Sequence, residues 1–189
     1  MEYKDYKYKV NEIFYSIQGE GFHTGKPTVF IRFSGCNLSC SFCDTDHEHY
    51  ELLSIKDIIH EINAYACCNV LITGGEPTQQ DNLEELLKAL KQNSYWISIE
   101  TNGTGFIPAF VDWVCVSPKT KNFCGHGDEL KVVHNGHTEK ELRAFLKLDF
   151  EYFCIQPKSG ENIPEIIELV KSMPAWNLSV QMHKLVGIK

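Results

Sequence analysis

The sequence predicts an α/β fold, a partial, helix-poor (β/α) barrel. Three observations predict it. Short apolar, β-branched runs recur along the chain; amphipathic helical segments fill only some of the gaps between them; and each run stops at small or polar residues.

The first clear run is TVFIRF at 28–33, which leads directly into a cysteine-rich segment. Ser54 can cap a helix over SIKDIIHEINAYA, where Ile55, Ile58, Ile59 and Ile62 recur at helical spacing. A strand, NVLIT at 69–73, follows, then a helix at 82–92 opened by the capping-box-like Asp81-x-x-Glu84. Further strands read as YWISIE (95–100), DWVCVS (112–117), LKVVH (130–134), EYFCIQ (151–156) and LSVQMH (178–183). Thr138 caps the helical TEKELRAFLKL, and residues 163–172 form a last helix. The gaps after 95–100 and 112–117 are too short for a crossover helix and its turns, which makes the barrel helix-poor. With no repeat, low-complexity stretch or linker, residues 1–189 are expected to form one domain.

Composition narrows the function. A net charge of −7, without a run of Lys or Arg, argues against nucleic acid and for a small-molecule substrate. No apolar run approaches the roughly 20 residues that span a membrane, and MEYKDYKYKV lacks the apolar core of a signal peptide. A cytoplasmic protein with reduced thiols is expected. Cys67, Cys68, Cys115 and Cys154 lie in or beside apolar runs and read as packed core cysteines, and Cys124 receives no role.

The ends of the strands carry the chemistry: Ser34-Gly35-Cys36, Thr73-Gly74-Gly75-Glu76-Pro77, Glu100-Thr101-Asn102-Gly103, Ser117-Pro118-Lys119, Gln156-Pro157-Lys158 and His183-Lys184. Turn chemistry explains any one of these clusters. Carboxyl ends of parallel barrel strands share the face on which active sites are built, so six together are expected to converge. Within the first cluster, Cys36, Cys40 and Cys43 form C-x3-C-x2-C. Soft sulfur ligands so spaced select zinc, copper(I) or an iron–sulfur cluster, and His47 or His49 is a possible fourth ligand for zinc.

This spacing, with an aromatic residue before the last cysteine and Gly74-Gly75-Glu76-Pro77 after the next strand, resembles the radical S-adenosylmethionine (SAM) superfamily. Ser-x-Gln-Gly-Glu-Gly (16–21), Arg32, Cys43-Asp44-Thr45, Glu100-Thr-Asn-Gly-Thr, Ser117-Pro-Lys, Gln156-Pro and Gln181-Met-His183-Lys184 are similar, almost end to end, to the 7-carboxy-7-deazaguanine synthase family. Glycyl-radical activases share the cysteine spacing and are the alternative, beside a zinc-stabilised binding module without catalysis.

The resemblance implies a 4Fe-4S cluster on the three cysteines, one iron of which chelates SAM. It implies a lyase that contracts the ring of 6-carboxy-5,6,7,8-tetrahydropterin with loss of ammonia. SAM contacts are implied for Phe42, Asp44, Gly75, Glu76, Glu100, Ser117, Pro118, Lys119, Gln156, Pro157, Lys158 and Ser159. Substrate contacts are implied for Ile17, Gln18, Gly19, Glu20, Arg32, Thr73 and His183, and magnesium (Mg2+) at Thr45. Arg32 suits the substrate carboxylate. The final strand is expected to aim the tail at the same face, so that the α-carboxylate of Lys189 accepts hydrogen bonds from the pterin. A homodimer and an electron donor such as flavodoxin complete what the resemblance implies.

Overall fold

The computed structural model describes residues 3–41, 43, 46 and 49–189. Its strands are β1 (Lys7–Ile17), β2 (Pro27–Phe33), β3 (Glu51–Ser54), β4 (Asn69–Gly74), β5 (Trp96–Thr101), β6 (Trp113–Val116), β7 (His126–His134), β8 (Asp149–Pro157) and β9 (Asn177–Leu178). Its helices are α1 (Ile55–Ile62), α2 (Leu83–Gln92), α3 (Glu139–Phe145), α4 (Ile163–Ser172) and α5 (Met182–Val186). The strands form one sheet in the order β3-β1-β2-β4-β5-β6-β7-β8-β9. From β2 to β9 every pairing is parallel, whereas β1 is antiparallel to β2 and β3. No helix intervenes between β5 and β6 or between β6 and β7, as the short gaps require.

Period-two alternation assigns the faces. Val29, Ile31 and Phe33 of β2, Val70 and Ile72 of β4, and Ile97 and Ile99 of β5 pack with the apolar stripes of α1 and α2. Leu130 and Val132 of β7 and Ile155 of β8 pack with Leu142, Ile166 and Trp176. Their neighbours in sequence, Phe30, Arg32, Leu71, Thr73, Glu100, Lys131, Val133 and Gln156, point to the opposite face and line a cavity there. The inner wall can therefore be polar because the outer one carries the hydrophobic burial.

Two capping boxes anchor the helices: Ser54 with Asp57 for α1, and Thr138 with Glu141 for α3. The opening of α2 differs from expectation. Asp81 does not cap it; Asn82 does so from the left-handed region (φ 58°) without a side-chain bond, a conformation Asn tolerates. The expected strand at 178–183 shortens to β9. The last bond to β8 is Ser179 N to Ile155 O (3.0 Å); Ser179 Oγ then accepts from Gly21 N, and Met182 N donates to Gly19 O (2.9 Å). The chain is thereby drawn across to the loop after β1 and ends in α5. Cys115 and Cys154 are buried and Cys67 is half-buried, as expected, but Cys68 is exposed because it lies in the turn between α1 and β4. No described helix is long and apolar enough to cross a membrane.

Thr138→Ala removes a hydroxyl that accepts from Glu141 N (3.3 Å) on a helix remote from the cavity. It is expected to lower the unfolding free energy by about 1 kcal/mol in a denaturant titration; an unchanged midpoint would show that the box contributes nothing.

Candidate active site

A cavity of about 270 Å³ lies on the inner face, at the carboxyl ends of the parallel strands. All six strand-end clusters contribute to it. Of the residues singled out in the sequence, it gathers Cys36, Cys40, Cys43, Gly75, Glu100, Ser117, Lys119, Gln156, Ile17, Gln18, Gly19, Glu20, Arg32, Thr73, His183 and Lys189. Phe42, Asp44, Thr45 and the Ser159 side chain lie outside the described residues. Glu76, Pro118, Pro157 and Lys158 do not line the cavity.

The exclusion of Glu76 has a clear cause. Its carboxylate is wholly buried, and accepts from Thr78 N (3.1 Å), Thr78 Oγ1 (2.7 Å), Thr101 Oγ1 (2.6 Å) and Asn102 N (2.7 Å). It therefore ties the end of β4 to the end of β5. Asn102 extends the tie by donating to Asn37 Oδ1 (3.0 Å), between Cys36 and Cys40. The cysteine loop is also held by Glu76 N, which donates to Gly35 O (3.0 Å), and by Gln80 Nε2, which donates to Ser34 O (2.9 Å). Position 75 must be glycine, since a Cβ there would collide with the Gly35 carbonyl.

Below the thiols runs a buried ion cluster that sequence reasoning missed. Lys131 Nζ lies 2.6 Å from Glu20 Oε2 and 3.0 Å from Glu100 Oε1, while Gln181 Nε2 donates to Glu20 Oε1 (2.8 Å) and Gln18 Nε2 to Glu100 Oε1 (3.1 Å). Burial alone would raise the Glu20 carboxyl, but the charge and hydrogen bond of Lys131, joined by Gln181, hold it at about 2. Burial works against the Lys131 ammonium too, and Glu100 and Glu20 outweigh it, keeping Lys131 charged. Lys119 is lowered, by burial first and then by Lys131, and donates to Ser117 Oγ (2.6 Å). The one signal for Lys131 was a lysine in the otherwise apolar LKVVH.

A second cluster sits at the rim. Glu12 binds both Arg32 Nε (2.9 Å) and Lys189 Nζ (2.5 Å), so two cations share one side-chain carboxylate, with the α-carboxylate of Lys189 beside them. Both cations lie over the Phe14 ring, at 5.8 and 4.8 Å. Ser16 Oγ donates to Lys189 O (2.5 Å). Lys189 reaches the cavity by this route and not by the extended strand expected for it. Gly19 packs so closely on His183 that a Cβ would strike Nδ1.

Residues 30–177 match the Radical SAM superfamily. A Bacteroides thetaiotaomicron protein named 7-carboxy-7-deazaguanine synthase is 45% identical over 183 residues, 96% of this chain and 98% of that one. The Haemophilus influenzae protein of the same name is 34% identical over 207 residues, covering 100% and 98%. This chain belongs to the 7-carboxy-7-deazaguanine synthase family. The crystal structure of QueE from Escherichia coli agrees in fold, with a TM-score of 0.76 at 28% identity over 94% of this chain and 95% of that one.

The family implies a 4Fe-4S cluster and SAM, and the donor set suits them. Cys36, Cys40 and Cys43 are held in no disulfide and face one cavity. Among the described residues no three Cys, His, Asp or Glu side chains are gathered for a single metal ion. Cluster ligands need not converge on a point, because each thiolate takes its own iron.

Lys131→Met is expected to destabilise the protein by about 3–5 kcal/mol, since Glu20 and Glu100 lose their buried cation. The sign with pH follows. In the wild type the depressed Glu20 stabilises the fold above its unfolded value of about 4.5, and that stability is lost as pH falls toward 2. Without Lys131 the Glu20 carboxyl rises, so the deficit is larger at pH 8 than at pH 5. An equal deficit at both, in melts at each pH, would contradict the ion cluster.

Proposed function

We propose that this chain, as one domain, converts 6-carboxy-5,6,7,8-tetrahydropterin to 7-carboxy-7-deazaguanine with loss of ammonia. The observation that carries this reading is one cavity in which three thiols share the walls with an ionised Glu20, Gln18, His183 and, at the rim, Arg32. When bound, the cluster and SAM supply a 5′-deoxyadenosyl radical that takes and returns a substrate hydrogen.

The protein's own residues hold and orient. Cys36, Cys40 and Cys43 bind the cluster. Gly75 presents backbone groups to SAM, and Ser117, Lys119 and Gln156 offer polar side chains to its nucleoside, together with Phe42 and Asp44 from the cysteine loop. Arg32, held at the rim by Glu12, offers its guanidinium to the substrate carboxylate, and the α-carboxylate of Lys189 accepts from the pterin. Glu20 is the acceptor for pterin N–H groups: it stays ionised throughout the neutral range, and Lys131 and Gln181 fix both its oxygens. Gln18 and His183 frame the same edge, and Thr73 and Ile17 complete the wall. The reading also includes magnesium at Thr45, a homodimer, a cytoplasmic setting and reduction by a protein such as flavodoxin.

The test is direct. Anaerobically reconstituted protein should carry about four irons per chain. With SAM, a reductant and 6-carboxytetrahydropterin it should form 7-carboxy-7-deazaguanine, identified by mass. A colourless protein holding one zinc and yielding no deazapurine would overturn the reading.

A further inference from the structure

Behind the active-site cavity lies a much smaller one of about 10 Å³, the space of a single water molecule. Gln18, Glu20, Leu71 and Glu100 line both cavities and form the partition; His23, Ser98, Trp113, Cys115 and Glu129 line only the second. Glu129, on β7 two residues before Lys131, is 3% exposed. Its Oε2 accepts from Phe22 N (3.3 Å) and Trp113 Nε1 (3.2 Å); the weak Cys154 thiol donor lies against the same carboxyl, but Oε1 has no N–H or O–H partner. Neither ring nitrogen of His23 has one either, although the ring is packed edge-on against Phe22 and Trp96 and tilted against Trp113. Orphaned polar atoms so buried are costly and call for a small polar occupant.

Charge counting points the same way. Glu20, Glu100 and Glu129 cluster around Lys131, with Lys119 as the second cation in electrostatic reach. Three carboxyls face two ammonium groups, so one carboxyl is in excess. Lys131 gives its hydrogen bonds to Glu20 and Glu100, which leaves Glu129 as the unpaired member. The other titratable groups facing Glu129 are the thiols of Cys115 and Cys154 and the phenol of Tyr152, all raised by burial. Burial pushes the Glu129 carboxyl up against the opposing pull of Lys131, Trp113 and Phe22, with Glu100 adding to the rise. Burial, then Lys26, also lowers His23, to about 4, against the attraction of Asp128, so its ring is neutral.

We propose that Glu129 carries a proton at neutral pH and, with one water in the small cavity and neutral His23, forms a proton relay that serves the departing ammonia. The inference rests on the ring-contraction reading. In the transfer the Glu129 O–H bond breaks, the proton passes through the water to Glu100, and an N–H bond forms on the leaving nitrogen. His23 lies in the loop between β1 and β2; with both ring nitrogens buried its ring stays neutral and orients the water toward Glu129. The contracted ring sheds a proton as it becomes aromatic, and that proton returns through Glu100 and the water to Glu129, so no net proton is consumed. Glu129 and His23 act through Glu100 and are positioning residues.

The experiment combines two readouts on cluster-loaded protein. Infrared spectra at neutral pH should show a protonated carboxylic acid C=O stretch that shifts in D2O and is missing from Glu129→Gln. That variant keeps the side-chain size but has no acidic proton, and should lose roughly ten-fold or more in kcat at unchanged KM and iron content. It should also lose the alkaline decline of the wild-type kcat profile. His23→Ala should lose turnover that added imidazole restores. Absence of the acid band from the wild type, or Glu129→Gln turnover within two-fold of wild type across pH, would overturn the relay. Failure of the ring-contraction reading would look different: no deazapurine from the wild type, with the acid band present.

Discussion

The buried carboxylate of Glu76 is the constraint on which the site depends. A carboxylate with no exposure and no bonded cation survives only if its lone pairs are filled, and here four donors from two strand ends fill them. Satisfying that one group fixes the separation of the β4 and β5 ends. Through Asn102 and Asn37 it also fixes the loop between the first two cysteines. A cluster held by a loop needs such an external reference, because the described residues of C-x3-C-x2-C belong to no strand or helix.

The cavity follows from an economy of faces. Hydrophobic burial is concentrated on the helix side of the sheet, where isoleucines and leucines of β2, β4, β5 and α1 and α2 interlock. The inner face is therefore left to chemistry, and it concentrates charge that would be untenable in isolation. Lys131 is stable as an ammonium only because Glu20 and Glu100 flank it, and the ionisation of Glu20 is secured in return. Such a triad adds little net stability over an apolar packing of the same volume. Its value is orientation: it presents Glu20 as a fixed acceptor on the cavity wall.

Most of the architecture was legible because it rests on periodicity. β2, β4 and α4 fall where apolar spacing places them, and the capping boxes at Ser54 and Thr138 were visible as residue types. β1 was not read as a strand because Lys7, Lys9, Asn11 and Glu12 break its apolar run, although Tyr8 and Val10 keep the alternation. The tail was misread because LSVQMH looks like a strand, while its fate is decided by long-range bonds to Gly19 and Gly21. In the site, cysteines and strand-end motifs were readable from residue type. The inward turn of Glu76 and the pairing of Lys131 were not, since both depend on partners distant in sequence. Nothing in GGEP distinguishes a glutamate that faces a ligand from one that knots two loops.

The central claim is that Glu76 organises the cysteine loop from inside the protein. The measurement that tests it most directly is the iron content and melting temperature of reconstituted Glu76→Gln. An amide in that pocket keeps the size but turns an NH2 donor toward groups that themselves donate, at a cost of about 1–3 kcal/mol for each group left unpaired. The account predicts that Tm and iron per chain both fall, although all three cysteines are intact. A variant with wild-type iron content and wild-type Tm, defective only in binding SAM, would contradict it and return Glu76 to the cavity as a ligand.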